Sequence, residues 1–122
     1  MPTILIVDDD AGFRKVLHMI FDQGSGFNAC LEAGNGVEAI AKTEHLLPNL
    51  AVLDFSLPDM NGLQLARELK AIAPELPIFM LTAGNDTKIE RDALSCGITA
   101  VFSKLDDLMT LVANARAVCG IQ

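Results

Sequence analysis

Apolar and polar residues alternate in blocks along this chain. Four short aliphatic runs carry no polar interruption: Ile4–Val7, Leu50–Leu53, Ile78–Leu81 and Ala100–Phe102. Runs of this length, without period-two alternation, fit strands covered on both faces, as in a parallel sheet. A weaker run, Phe27–Leu31, reads as one more strand, and its Asn28 and Cys30 point to a less buried, edge position. Between the runs the spacing becomes helical. Phe13, Val16, Leu17, Ile20 and Phe21 follow an i, i+3, i+4, i+7, i+8 stripe. Val37, Ile40 and Ala41 open a second stripe with Asn35 as its N-cap. Leu65, Ala66, Leu69 and Ile72 make a third, which ends before Pro74. A weaker helix is expected over Asp86–Cys96, stopped by Gly97. Leu108, Leu111, Val112 and Ala115 form the last stripe, with Gly120 beyond it.

Five strand–helix units in succession predict an α/β domain over residues 1–122, with right-handed crossovers and helices on both faces of a parallel sheet. No internal repeat, linker or low-complexity stretch divides it. With 122 residues and 51% hydrophobic content, the chain can bury a core without disulfides or a structural metal. Cys30, Cys96 and Cys119 are odd in number and lack CxxC spacing, so they read as packing residues. No apolar run approaches the roughly 18–20 residues that span a bilayer. Ile4–Val7 has no basic leader and ends in aspartates, which excludes a signal peptide; the expected setting is the cytoplasm, away from membranes. A net charge of −7 without a Lys/Arg cluster argues against direct nucleic-acid binding.

In open α/β sheets, ligands bind beyond the carboxyl ends of the strands. Asp8, Asp9 and Asp10 follow the first run, Asp54 the third in chain order, Thr82 the next, and Ser103 and Lys104 the last. The weaker strand, ending at Glu32, Ala33 and Gly34, receives no role. Carboxylates packed together repel and need a cation among them. Hard oxygen donors suit Mg²⁺, which takes one or two carboxylates plus waters and a phosphate oxygen. Lys104 and Thr82 suit a phosphate, as compact charge and hydrogen-bond donor. A carboxylate can also be the nucleophile that receives a phosphoryl group. Asp54 is the expected acceptor because it ends a buried central run, and a flexible loop, residues 56–62, follows it. That loop could offer a backbone carbonyl to the metal.

The pieces ILIVDDD, AVLDFSLPDMNG, MLTAG and the Lys104 region, in this order and each at a strand end, resemble the receiver domains of two-component response regulators. The resemblance covers essentially the whole chain. It implies a flavodoxin-like three-layer sandwich, with a five-stranded parallel sheet in the order 2-1-3-4-5 and five helices. It implies that Asp8 and Asp9 bind Mg²⁺, with Asp9 the more direct ligand. Asp54 is implied as the phospho-acceptor, with Ser56 completing the metal site through its carbonyl. Thr82 is implied as the hydroxyl that reports phosphorylation, and Lys104 as the phosphate-pairing lysine. The implied donor is a histidine kinase or a phosphotransfer protein, and the implied role is a switch that acts on an output domain or effector, with homodimerisation on activation open.

Two positions depart from the family pattern. Leu105 stands where proline usually follows the lysine, so a cis Lys–Pro turn is not expected and the last helix could start elsewhere. Val101 stands where Tyr or Phe is common, and valine has no comparable rotamer swing; Phe102 should face the other side of the sheet. Competing functions are an aspartate-nucleophile phosphatase using the Asp8–Asp10 Asp-x-Asp spacing, and a binding module that no longer uses phosphate. Asp10 is expected to cap the first helix or to face solvent, and Asp59, Asn61 and Gly62 to form turns. Asp106 and Asp107 are expected at the start of the last helix, and His18 and His45 as surface or half-buried helical residues. No P-loop or dinucleotide glycine fingerprint is present.

Overall fold

The computed structural model describes residues 2–22, 26–27, 29–84 and 86–121. The elements are β1 (Thr3–Val7), α1 (Ala11–Asp22), β2 (Ala29–Ala33), α2 (Gly36–His45) and β3 (Leu50–Asp54). They continue with α3 (Gly62–Ile72), β4 (Ile78–Thr82), α4 (Thr87–Ser95), β5 (Ala100–Ser103) and α5 (Leu108–Val118). All strand pairs are parallel, in the order β2-β1-β3-β4-β5.

The two sheet faces bury separate clusters. Leu5, Val7, Leu53, Ile78 and Met80 face α2, α3 and α4 through Ala39, Leu65, Leu69 and Ala93. Ile4, Ile6, Leu50, Val52, Phe79 and Leu81 face α1 and α5 through Leu17, Phe21, Leu111 and Ala115. Strands buried on both faces explain the uninterrupted apolar runs of β1, β3 and β4. β5 departs from that expectation: Ala100, Val101 and Phe102 are only half-buried, because β5 is an edge strand with one neighbour. Val101 and Phe102 do face opposite clusters.

β2 lies two residues later than the Phe27–Leu31 expectation. Pairing with β1 sets its register, Thr3↔Ala29 through Val7↔Ala33, which buries Ala33 and brings Glu32 into the strand. Asn28 lies outside the described residues. The helix ends follow their caps. Asn35 Oδ1 accepts from Glu38 N, Asp86 Oδ1 from Lys88 N and Ile89 N, and Asp107 Oδ1 from Met109 N. Gly97 closes α4 at φ +88° and Gly120 follows α5 at +71°. Among the described residues there is no cis peptide bond, and no helix is long and apolar enough to cross a membrane.

Candidate functional site

β1 and β3 are neighbours, so their carboxyl ends bring Asp8, Asp9 and Asp54 together; one carboxylate oxygen from each lies within 4.8 Å of the others. Asp8 is 1% exposed and Asp54 6%, whereas Asp9 is exposed. Asp8 Oδ1 accepts from Asp10 N at 2.9 Å. Its Oδ2 lies 2.8 Å from Lys104 Nζ, and no directed hydrogen bond from another donor reaches that oxygen among the described residues. Lys104 Nζ is also 3.4 Å from Asp54 Oδ2. Asp54 Oδ1 accepts from Ser56 N at 3.4 Å.

Burial, and then the charge of Asp8, push the Asp54 carboxyl above the usual aspartate range, against the pull of Lys104. Burial alone would lower the lysine; its contacts with Asp8 and Asp54 hold it above the ordinary value instead. One ammonium thus offsets three clustered carboxylates, leaving the pocket short of positive charge. That shortage and an all-oxygen donor set fit a hard divalent cation.

The 56–62 loop, expected to be flexible, is tied at several points. Ser56 bridges to Asn61. Asn61 is more than a turn former: it caps α3 in a reciprocal capping box with Gln64. Asp59 reaches across to α2, where Oδ1 and Oδ2 accept from Gly36 N and Val37 N, each at 2.9 Å. Gly62 lets α3 start against β3: a Cβ there would sit 3.0 Å from the carbonyl oxygen of Asp54 and from Phe55 Cα.

Thr82 ends β4, but its hydroxyl donates to the Gly84 carbonyl at 2.5 Å. A hydroxyl has one proton, so donating to a phosphate requires this bond to break. Thr82 and Val101 line a polar cavity of about 150 Å³ with Asp86, Glu90, Ser103 and Asp106. Lys104 continues the sheet, its N–H donating to the Thr82 carbonyl at 2.8 Å. Leu105, in the usual proline position, is 81% exposed, and Asp106 Oδ2 accepts from Ser103 N at 2.9 Å. Asp106 therefore holds the turn, and Asp107 alone caps α5. Asp10 Oδ1 accepts from Gly12 N and Phe13 N, so the second carboxylate of the Asp-x-Asp spacing is committed to α1.

Four neighbours were not legible as site residues. Phe13 carries the Lys104 ammonium over its ring at 4.7 Å. Arg14 donates through Nη1 to the Asp8 carbonyl at 2.7 Å and through Nε to Glu32 Oε1 at 2.9 Å. His18, a half-buried helical residue as expected, has its Nδ1 2.6 Å from Glu32 Oε2. Burial opposes ionisation of Glu32, yet His18 and Arg14 hold its carboxyl below the usual range.

The response regulator receiver domain model matches residues 4–116. The chain belongs to the response regulator receiver family. This receiver is 38% identical over 114 residues to the DNA-binding response regulator MtrA of Mycobacterium tuberculosis, covering 93% of the chain and 49% of that protein. It is 36% identical over 118 residues to the phosphate regulon transcriptional regulatory protein PhoB of Pseudomonas aeruginosa, covering 95% of the chain and 51% of that protein. The chain thus spans about half the length of these curated relatives. A crystal structure of a CheY-like receiver domain protein from Methanospirillum hungatei superposes with a TM-score of 0.90 at 27% identity, covering 98% of this chain and 94% of that one. The receiver is therefore a two-component signalling switch with the flavodoxin-like fold.

Proposed function

We propose that Asp54 is the phospho-acceptor of this receiver, taking the phosphoryl group from a phosphohistidine on a histidine kinase or phosphotransfer protein. The observation that carries this reading is the convergence of Asp8, Asp9 and Lys104 on the buried carboxylate that ends β3. An Asp54 Oδ attacks phosphorus, the P–N bond to the histidine breaks, and the bonding electrons return to the ring nitrogen. Asp8, Asp9, Asp54 and the Ser56 carbonyl would hold Mg²⁺, which neutralises charge on the transferring oxygens. Lys104 then turns from Asp54 to the new phosphate, and Thr82 exchanges Gly84 for the same group. The receiver adds catalysis only to its own phosphorylation and dephosphorylation, and works in the cytoplasm. Its net charge of −7 makes direct contact with nucleic acid unfavourable, so a DNA-directed output would need a partner or segment other than residues 1–122.

Incubation with Mg²⁺ and a small phosphodonor, followed by intact-mass measurement, tests the assignment. One phosphoryl adduct is expected, absent in Asp54→Asn. An adduct of equal yield in Asp54→Asn would place the acceptor elsewhere.

A further inference from the structure

The acidic pocket is held from behind by a chain of polar contacts that no site residue predicts. Arg14, one turn into α1, spans two elements. Its Nη1 holds the Asp8 carbonyl at 2.7 Å and its Nε the Glu32 carboxylate at 2.9 Å. Glu32 is fixed in turn by His18 Nδ1 at 2.6 Å on its other oxygen, and its backbone carbonyl accepts from Lys42 Nζ. α1, β2 and α2 are thereby tied to a single peptide group at the end of β1.

That peptide group is where Asp9 begins. The Asp8 carbonyl and the Asp9 N–H belong to one rigid plane. On its other side Asp8 is fixed by its own N–H to the Ala33 carbonyl at 3.1 Å and by Oδ1 to Asp10 N. Asp8 itself is buried and paired with Lys104. Asp9 is exposed, so packing does little to aim its carboxylate. The plane of the preceding peptide fixes the Asp9 Cα and the N–Cα axis about which its side chain turns, and Arg14 holds that plane.

We propose that Arg14, locked by Glu32, is a positioning residue for the metal site: it aims Asp9 into the pocket. The inference rests on the reading of Asp8, Asp9 and Asp54 as Mg²⁺ ligands. Arg14 acts through geometry and not through its charge, which Glu32 offsets. The distinction is testable because the two roles predict opposite signs. As a charge, Arg14 repels Mg²⁺, and its removal tightens binding. As a brace, its removal weakens binding. Losing Glu32 weakens binding on either account, so the sign at Arg14 decides.

The experiment is a MgCl₂ titration at constant ionic strength, followed by amide nitrogen–proton correlation spectra of wild type, Arg14→Ala, Arg14→Lys, Glu32→Ala and the Arg14→Ala/Glu32→Ala double variant. The same spectra report whether each variant is folded. Arg14→Lys keeps the charge and the helical stem but cannot reach both acceptors, so it serves even if Arg14→Ala unfolds. Each single variant is expected to weaken Mg²⁺ binding about ten-fold, the lower range for groups that orient metal ligands. The double variant should be no weaker than Arg14→Ala, and the Asp9 and Asp10 amide signals of the metal-free variants should move. Tighter binding in Arg14→Ala, or wild-type affinity in Arg14→Lys, overturns the inference while leaving the metal site standing. Absence of saturable Mg²⁺ binding by the wild type overturns both.

Discussion

Replacing Lys104 by methionine removes the ammonium that lies between Asp8 and Asp54 while keeping an unbranched stem over Phe13. At 2.8 and 3.4 Å and an effective dielectric of about 20, the gross attractions are about 6 and about 5 kcal/mol. Desolvation and side-chain ordering cancel much of this. Removing one member of a buried pair costs about 3–5 kcal/mol. Lys104 is 23% exposed, so solvent screening puts it at the low end, about 3 kcal/mol. With about 2.1 cal/mol/K of unfolding entropy per residue over 122 residues, each kcal/mol moves Tm by about 4 °C. Lys104→Met should therefore melt about 12 °C below wild type in metal-free neutral buffer. MgCl₂ should recover more Tm in the variant than in wild type, because no ammonium competes for the carboxylates. The deficit should also shrink as the pH falls through the raised Asp54 value, where protonation of that carboxyl relieves its repulsion with Asp8. Calorimetric or dichroism melts with and without MgCl₂, repeated across a pH series, measure all three. A metal-free difference under about 3 °C, or less recovery by Mg²⁺ than wild type shows, would refute the reasoning.

Two further substitutions probe the pocket. The Asp54 carboxyl is held above its ordinary value, so its charged form is disfavoured in the fold. The penalty is absent below the unfolded aspartate pKa of about 4 and complete above the raised folded value. Asp54→Asn should thus melt a few degrees higher than wild type at neutral pH and equal to it in acid; a lower neutral melting point would count against the electrostatic account. Gly62→Ala places a Cβ 3.0 Å from the Asp54 carbonyl oxygen and Phe55 Cα, backbone atoms that cannot turn aside. It should lower stability by about 1–3 kcal/mol in urea titration and slow phosphoryl uptake, and wild-type values for both would show that the β3–α3 junction can give way.

The buried strands and most helix ends were legible because their signals are local. An uninterrupted aliphatic run such as Leu50–Leu53 needs no partner to be recognised. Asn35, Asp86, Gly97 and Gly120 act within a few residues of their helix ends. β2 was misplaced by two residues because its own pattern is weak, and its register comes from backbone pairing with β1. β5 was expected to be covered on both faces, and Ala100–Phe102 are only half-buried, because an apolar run does not by itself report how much of a strand its neighbours cover.

The sequence by itself determined which side chains stand at the strand ends. Asp8, Asp9, Asp54, Thr82 and Lys104 are there because the aliphatic runs stop where they begin. Only the tertiary structure decided what those groups do to one another in this state. It placed Lys104 between Asp8 and Asp54, committed Thr82 to Gly84, and sent Asp59 across to cap α2. It also joined Arg14 to Glu32, 18 positions away. Periodicity and capping act over a few residues, whereas these contacts follow from sheet order and register. A one-residue slip of β2 would turn Glu32 to the opposite face and leave Arg14 without its partner.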